Sequence, residues 1–239
     1  MNTIASTPRQ QIQSLLGQVR HLKSTAKSLE NGYQDGYYAS QDAGRDIQST
    51  QWPLRRAQSD TVNTNVSYEG RQAEQSLRQA DRRLRENESR LYRIGSSSSS
   101  ATREFDLAKQ NLQQILSNSS AYPSEVYTNL QQAKGSLDSS ARDHDTANGQ
   151  GGWAESKNKS ASRELQWAEH NVRNITWDRP GVDVSHDARQ ASFRVDQAQW
   201  AVRDCDNNLS QARSFESRSG QGLGQVEQSL RQALAQLPE

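Results

Sequence analysis

The sequence predicts an all-α protein, and two patterns in it predict this class. Apolar residues recur at alternating steps of three and four along most of the chain, which is the spacing of a helix packed against other helices. The chain also repeats itself, because a shift of 118 residues aligns its two halves without a gap. Between residues 41 and 91 the halves share 14 identities in 51 pairs. No segment shows the sustained alternation of apolar and polar residues that marks strands.

The first half contains four apolar-periodic segments and so predicts four helices. Thr7 before Pro8 is a suitable start for the first helix, and Pro53 predicts a kink or a break near residues 50–52 in the second. Gly95 and the serine run that follows it predict the end of the third. The apolar positions of the four segments are Ile12, Leu15, Val19, Leu22, Ala26, Leu29 and Tyr33; Ala43, Ile47, Leu54 and Ala57; Ala73, Leu77, Ala80, Leu84 and Leu91; and Phe105, Ala108, Leu112 and Ile115.

The second half keeps these registers and predicts four more helices. Pro180 and Gly181 predict the end of the sixth helix, while the glycine-rich stretches at 149–152 and 220–224 predict flexible linkers. The apolar positions are Leu130, Ala133, Leu137 and Ala147; Ala161, Leu165, Ala168, Val172 and Ile175; Ala188, Ala191, Val195, Ala198, Val202, Leu209 and Ala212; and Leu223, Val226, Leu230 and Ala233.

The repeat predicts a tandem duplication of a unit of about 118 residues, with one helical repeat at 1–118 and a second at 119–239. Short connections favour antiparallel neighbours, so we expect two up-down four-helix bundles. The alternative is one elongated eight-helix body, or a swapped dimer, in which helices pair between the copies.

Composition excludes several classes of protein. The formal net charge is +1, so the chain as a whole is not the strongly basic or acidic type of protein that binds oppositely charged polymers. The single cysteine, Cys205, rules out an intramolecular disulfide. The N-terminal residues lack the apolar core of a signal peptide, and no stretch approaches the ~18 apolar residues of a membrane helix. We therefore expect a soluble cytoplasmic protein without a membrane span.

An arginine cluster on the third predicted helix is the candidate surface for nucleic acid. Basic side chains on one helix can neutralise phosphates, although interleaved carboxylates here offer many i,i+4 partners. The alternative to nucleic-acid binding is that these arginines simply form a solvent-exposed face of the helix. The cluster consists of Arg71, Arg78, Arg82, Arg83, Arg85, Arg90 and Arg93.

Tryptophans in the second half are candidates for a protein contact. We call the apolar positions at alternating steps of three and four the apolar rows. Trp167 and Trp200 lie outside these rows, and Trp177 lies near the predicted end of the sixth helix. Tryptophan is enriched at binding hot spots, so these three side chains mark a possible interaction surface. The alternative is that they cover the edges of a bundle.

His144 and Cys205 are the remaining candidates for chemistry. They occupy the apolar-row positions held by Ala26 and Asn87 in the first half, and in an up-down bundle they could share a layer. A polar layer that fixes helix register is the expected role, and a metal or thiol site is the alternative. No His-x-x-x-His spacing, catalytic serine elbow or phosphate-binding loop occurs, so we expect no catalytic residue, metal or cofactor.

The sequence thus predicts a non-enzymatic helical scaffold or interaction protein that binds a protein partner or itself. A nucleic-acid-binding protein that uses residues 71–93 is the alternative, and a metal or thiol site at His144 and Cys205 is a third. A small-molecule ligand is not expected.

Overall fold

The computed structural model describes residues 7–61, 64–117 and 122–237, and within these ranges every regular element is a helix. This confirms the all-α class. The elements are α1 (Pro8–Ser49), α2 (Gln51–Ala57), α3 (Ser67–Ser117), α4 (Ser124–Thr176) and α5 (Ser185–Ala235).

Three of the predicted boundary signals, at Thr7, at Pro53 and at Gly181, lie at or near observed helix ends. Thr7 caps α1, because its hydroxyl accepts the Gln10 N–H while the Gln10 side chain accepts the Thr7 N–H. Near Pro53, α1 ends at Ser49 and α2 begins at Gln51. After α4 ends, Gly181 adopts a φ of 96°, a left-handed conformation that favours glycine.

The expectation of eight helices is wrong, because three predicted breaks lie inside continuous helices. Residues 95–100 belong to α3, residues 149–152 to α4 and residues 220–224 to α5. Glycine in a helix costs only about 1 kcal/mol relative to alanine, which burial along a long helix outweighs. The serine run is also compatible with a helix, since Ser99 and Ser100 donate hydrogen bonds to carbonyls four residues back.

The chain forms two compact units, and each unit draws on both halves of the sequence. Unit 1 contains the described residues of Met1–Gly32, Ile94–Gly149 and Gln211–Glu239. Unit 2 contains those of Tyr33–Arg93 and Gln150–Ser210. Each of the four long helices therefore contributes a segment to both units, and neither predicted bundle of four helices within one half is present.

Neighbouring segments run antiparallel in each unit. In unit 1, Gln18 on α1 bonds Asn111 on α3, while Gly32 further along α1 lies beside Ile94. In unit 2, Ser162 on α4 bonds Asp81 on α3, and Asn158 four residues earlier accepts from Asn87.

The predicted apolar rows form the cores. Every first-segment position from Ile12 to Tyr33 is buried, as are Leu77 and Leu84 on α3. One core cluster consists of residues from unit 1 and a second consists of residues from unit 2, and both clusters combine side chains from the two halves of the sequence.

Two aspartates at the ends of helices make matching hydrogen bonds within unit 2. Asp178, which follows α4, accepts the N–H of Val66 at 2.7 Å, and Asp60, which follows α2, accepts the N–H of Val184 at 3.0 Å. Val66 and Val184 directly precede α3 and α5, so each aspartate satisfies a backbone donor near a helix start in the other half. We call this pair of interactions the aspartate clasp.

The helix bounds follow the spacing seen in the sequence. α3 and α5 each contain 51 residues and begin at Ser67 and Ser185. These starts are 118 residues apart, as are the two aspartates and the two valines of the clasp.

Candidate functional site

The arginine cluster lies on the part of α3 in unit 2, and most of its charge is compensated. Arg78 pairs with Glu74 and Glu169, and Arg83 pairs with Asp42 and Asp46. Two further pairs join the remaining central arginines to carboxylates one turn away: Arg82–Glu86 and Arg85–Asp81.

Three members of the cluster have no ion pair among the described residues: Arg71, Arg90 and Arg93. They lie at the two ends of the cluster, and the compensated arginines lie between them. The cluster therefore does not form the continuous positive stripe that phosphate binding favours.

The predicted tryptophans are on the surface of unit 2. Trp167, Trp177 and Trp200 expose 54%, 73% and 63% of their area. Of the eleven large apolar side chains exposed in the described part of the chain, ten lie in unit 2 and one, Leu107, lies in unit 1. Burial of such a surface by a partner would be favourable, and tryptophan provides large contact area.

An arginine organises part of this surface. The Arg194 guanidinium lies 4.3 Å from the centre of the Trp167 ring and 5.7 Å from that of Phe193. It also donates to Glu164 at 3.1 Å, so the guanidinium has a carboxylate partner as well as the two ring contacts. Trp200 follows Phe193 by two helical turns and so lies on the same side of α5. We call Trp167, Phe193, Arg194 and Trp200 the aromatic surface.

Phe193 and Arg194 were not among the residues predicted from the sequence. The available signal was the spacing, because residues 193 and 200 both lie opposite the buried row that contains Ala191, Val195 and Ala198.

The core of unit 1 contains a buried pair of a histidine and a glutamate. His144 on α4 and Glu216 on α5 have fully buried side chains, and Nδ1 of His144 lies 3.0 and 3.2 Å from the two carboxylate oxygens of Glu216. Nε2 lies 3.1 Å from the backbone carbonyl oxygen of Ser98 on α3. The imidazole also stacks on Phe105, with ring centres 5.2 Å apart.

These contacts fix where protons can reside. The Ser98 carbonyl oxygen only accepts hydrogen bonds, so Nε2 of His144 carries a hydrogen. A second proton lies between Nδ1 and Glu216, as an imidazolium facing a carboxylate or as a neutral imidazole facing a carboxylic acid. Both arrangements contain the same number of protons and have no net charge, which reduces the cost of burying the pair.

The pKa values of both groups are raised. Burial alone would lower the pKa of His144, but the hydrogen bond and charge of Glu216, together with the Ser98 carbonyl and Asp145, outweigh this effect. Burial raises the pKa of Glu216, and His144 only partly offsets that rise. The native pair therefore retains its shared proton more strongly than the separated side chains would.

Cys205 is buried in unit 2. Burial raises the pKa of its thiol to about 12. Also buried in unit 2, Asn87 donates to Asn158, which in turn donates to the Leu84 carbonyl at 2.8 Å.

His144 and Cys205 therefore have different surroundings, since His144 lies in unit 1 with Glu216 as its partner and Cys205 lies buried in unit 2. The sequence-based idea of a shared layer is wrong because both halves contribute to both units. Sequence analysis also missed Glu216, the partner of His144. A signal was present, because Glu216 occupies an apolar-row position between Ala212 and Leu223.

The thiol of Cys205 should be unreactive in the native protein. The thiolate is the reactive form, and a buried thiol with a pKa of about 12 provides little of it. We expect native protein to react with a thiol reagent at neutral pH at least ~100-fold more slowly than denatured protein. Absorbance of the released reagent measures both rates. Similar rates in the two states would contradict the burial of this side chain.

The described residues contain no group of three or more histidine, cysteine, aspartate or glutamate side chains placed to bind a metal ion. Within the same ranges, no helix combines the length and apolar character that crossing a bilayer requires.

Comparisons with known proteins identify no family. No protein-family model matches the chain, and no curated protein matches it. One solved structure is similar, the SmhB pore of the tripartite alpha-pore forming toxin Smh from Serratia marcescens, at 9% identity with a TM-score of 0.23. The match covers 95% of this chain and 81% of that one. A TM-score this low carries no argument about the function of this protein.

Proposed function

We propose that this protein is a non-enzymatic helical scaffold that associates with protein through the aromatic surface of unit 2, with a second copy of itself as the first partner to test. The observation that carries the proposal is the concentration of exposed aromatic side chains on that unit. We also propose that the scaffold arose by duplication of a segment of about 118 residues, on the basis of the matching bounds of α3 and α5.

The arrangement of the aromatic surface supports a binding role. Arg194 restrains Trp167 and Phe193 before any partner arrives, which lowers the entropy lost when the surface is buried. Tryptophan and arginine are the residues most enriched at binding hot spots, and here they are adjacent.

The core chemistry favours a structural role over catalysis. His144 and Glu216 are fully buried, so a substrate would not reach them without a large opening of unit 1. Cys205 is likewise buried, and its raised thiol pKa opposes nucleophilic activity.

Self-association should depend on the aromatic surface. We expect wild-type protein to form a concentration-dependent dimer in sedimentation velocity experiments. Changing Trp167, Phe193 and Trp200 together to serine should weaken dimerisation at least ~30-fold, because hot-spot side chains commonly contribute 2 kcal/mol or more.

Leu107→Ser is the matched control, since Leu107 is equally exposed but lies in unit 1. It should dimerise like the wild type, and circular dichroism should show equal helix content in all three proteins. A wild type that remains monomeric at every concentration, or a triple variant that dimerises normally, would contradict the proposal.

A further inference from the structure

Two residues at equivalent positions of the repeat contact each other within unit 2. Tyr33 on α1 and Gly151 on α4 are 118 residues apart in sequence, and the Tyr33 side chain is 1% exposed. A Cβ atom added to Gly151 would lie 2.9 Å from Cε1 and 3.0 Å from Oη of Tyr33. The tyrosine ring thus occupies the space that any larger side chain at 151 would need.

The contacts between the halves have the reciprocity of a two-fold interface. In such an interface, if residue i of one partner contacts residue j of the other, then j of the first contacts i of the second. The aspartate clasp follows this rule, since Asp60 bonds Val184 and Asp178 bonds Val66. A contact between equivalent positions, such as Tyr33 and Gly151, is what this symmetry produces near its axis.

The two residues at this contact differ by a whole aromatic side chain. If two first halves paired in the same way, a tyrosine would face a tyrosine and overpack the core. If two second halves paired, a glycine would face a glycine and leave a cavity the size of an aromatic ring. Only the unlike pairing places a large side chain against an empty position.

We propose that Tyr33 and Gly151 form a protrusion and a recess that make each half of this chain bind the unlike half, whether that half comes from the same chain or from a second copy. The partner that fits the face containing Tyr33 is therefore a helical hairpin with glycine at position 151. The fit between Tyr33 and Gly151 involves none of the residues of the aromatic surface.

A double-substitution cycle in the full chain tests the contact, with Tm from circular dichroism as the measurement. Gly151→Ala should lower Tm by about 5 °C in the wild type, because the new methyl group overlaps the tyrosine ring. In a Tyr33→Gly background, the same substitution should raise Tm by about 2–4 °C, since the clash is gone and alanine favours helix.

Gly152→Ala is the control, because a Cβ atom at 152 would have nothing within 4 Å. It should raise Tm in both backgrounds. If Gly151→Ala has the same sign in both backgrounds, the proposed protrusion and recess are wrong.

Exchange of the two residues tests their equivalence. Gly151→Tyr alone makes a tyrosine face Tyr33, which is the contact that two first halves would form. It should be the least stable variant of the set. Adding Tyr33→Gly moves the protrusion to the other half, and we expect this exchanged protein to recover at least half of the Tm lost in either single variant. An exchanged protein no more stable than Gly151→Tyr alone would overturn the proposal. The dimerisation test with the aromatic-surface variant and the Tm test with the Tyr33 and Gly151 variants measure different properties. Either proposal can therefore be contradicted while the other stands.

Discussion

Replacing His144 with alanine should lower the free energy of unfolding by about 3–5 kcal/mol, the usual cost of removing one member of a buried ion pair. The substitution leaves Glu216 without its partner in a site with no solvent contact. It also removes the donor to the Ser98 carbonyl and the ring that stacks on Phe105. Urea unfolding followed by circular dichroism measures the loss.

A double variant separates the unpaired carboxyl group from the lost packing. His144→Ala combined with Glu216→Ser gives the second half the residues found at the equivalent positions of the first, Ala26 and Ser98. We expect this variant to be more stable than His144→Ala alone, because no unpaired carboxyl group remains. His21→Ala is the control, since the His21 side chain is exposed and pairs at the surface with Glu104. A single variant as stable as this control would contradict the buried-pair assignment.

The same pair should make stability depend on pH. The folded pKa of His144 is raised, so its contribution is fully present below the unfolded pKa of about 6.5 and is lost as pH rises through the folded value. The raised pKa of Glu216 acts in the same direction; the Asp145 carboxylate contributes to the raised pKa of His144, and the Glu30 carboxylate to that of Glu216. Above pH ~6.5, wild-type stability should therefore fall more steeply than that of the double variant, by at most about 1.4 kcal/mol per pH unit.

Leu84→Asp should destabilise the protein by at least about 4 kcal/mol, because it places an unpaired carboxyl group in the core of unit 2. Leu84 has no exposed surface and belongs to the apolar cluster of that unit. Its backbone carbonyl also accepts a hydrogen bond from Asn158, so displacement of this turn would leave a second polar group unsatisfied. Thermal unfolding followed by circular dichroism tests the prediction.

Glu86→Ala is the matched control on the same helix. Glu86 is 54% exposed on its side chain and pairs only with the exposed Arg82, a kind of interaction worth about 0–1 kcal/mol. Its Tm should remain close to that of the wild type. Equal Tm values for the two variants would show that the apolar row does not face the core.

Sequence periodicity located the core residues because burial on a helix depends on a local repeat of three and four residues. It predicted three false helix ends at residues 95–100, 149–152 and 220–224, because glycine and serine penalties are small compared with the packing of a long helix. Gly151 shows the reason, since it is helical where a linker was expected and its missing side chain accommodates Tyr33 from a distant segment.

The candidate sites were predictable only in part, because the sequence pattern gives the exposure of a residue on its own helix but not its contacts with other helices. Exposure of Trp167 and Trp200 follows from their place on their own helices, and the sequence indicated it. The His144–Glu216 pair joins α4 to α5, and the Arg194 contacts also join these two helices. Such contacts depend on which helices become neighbours, and the interpretation as eight helices gave the wrong neighbours.

The aspartate clasp has a consequence for the order of folding events. Its two hydrogen bonds join residues 112 and 124 positions apart in the chain, whereas the contacts within each helix span four. Closing so large a loop costs entropy that local helix formation does not, so distant contacts form late. We therefore expect Asp60 and Asp178 to act after the helices have formed, and to slow unfolding of the completed structure more than they speed its formation.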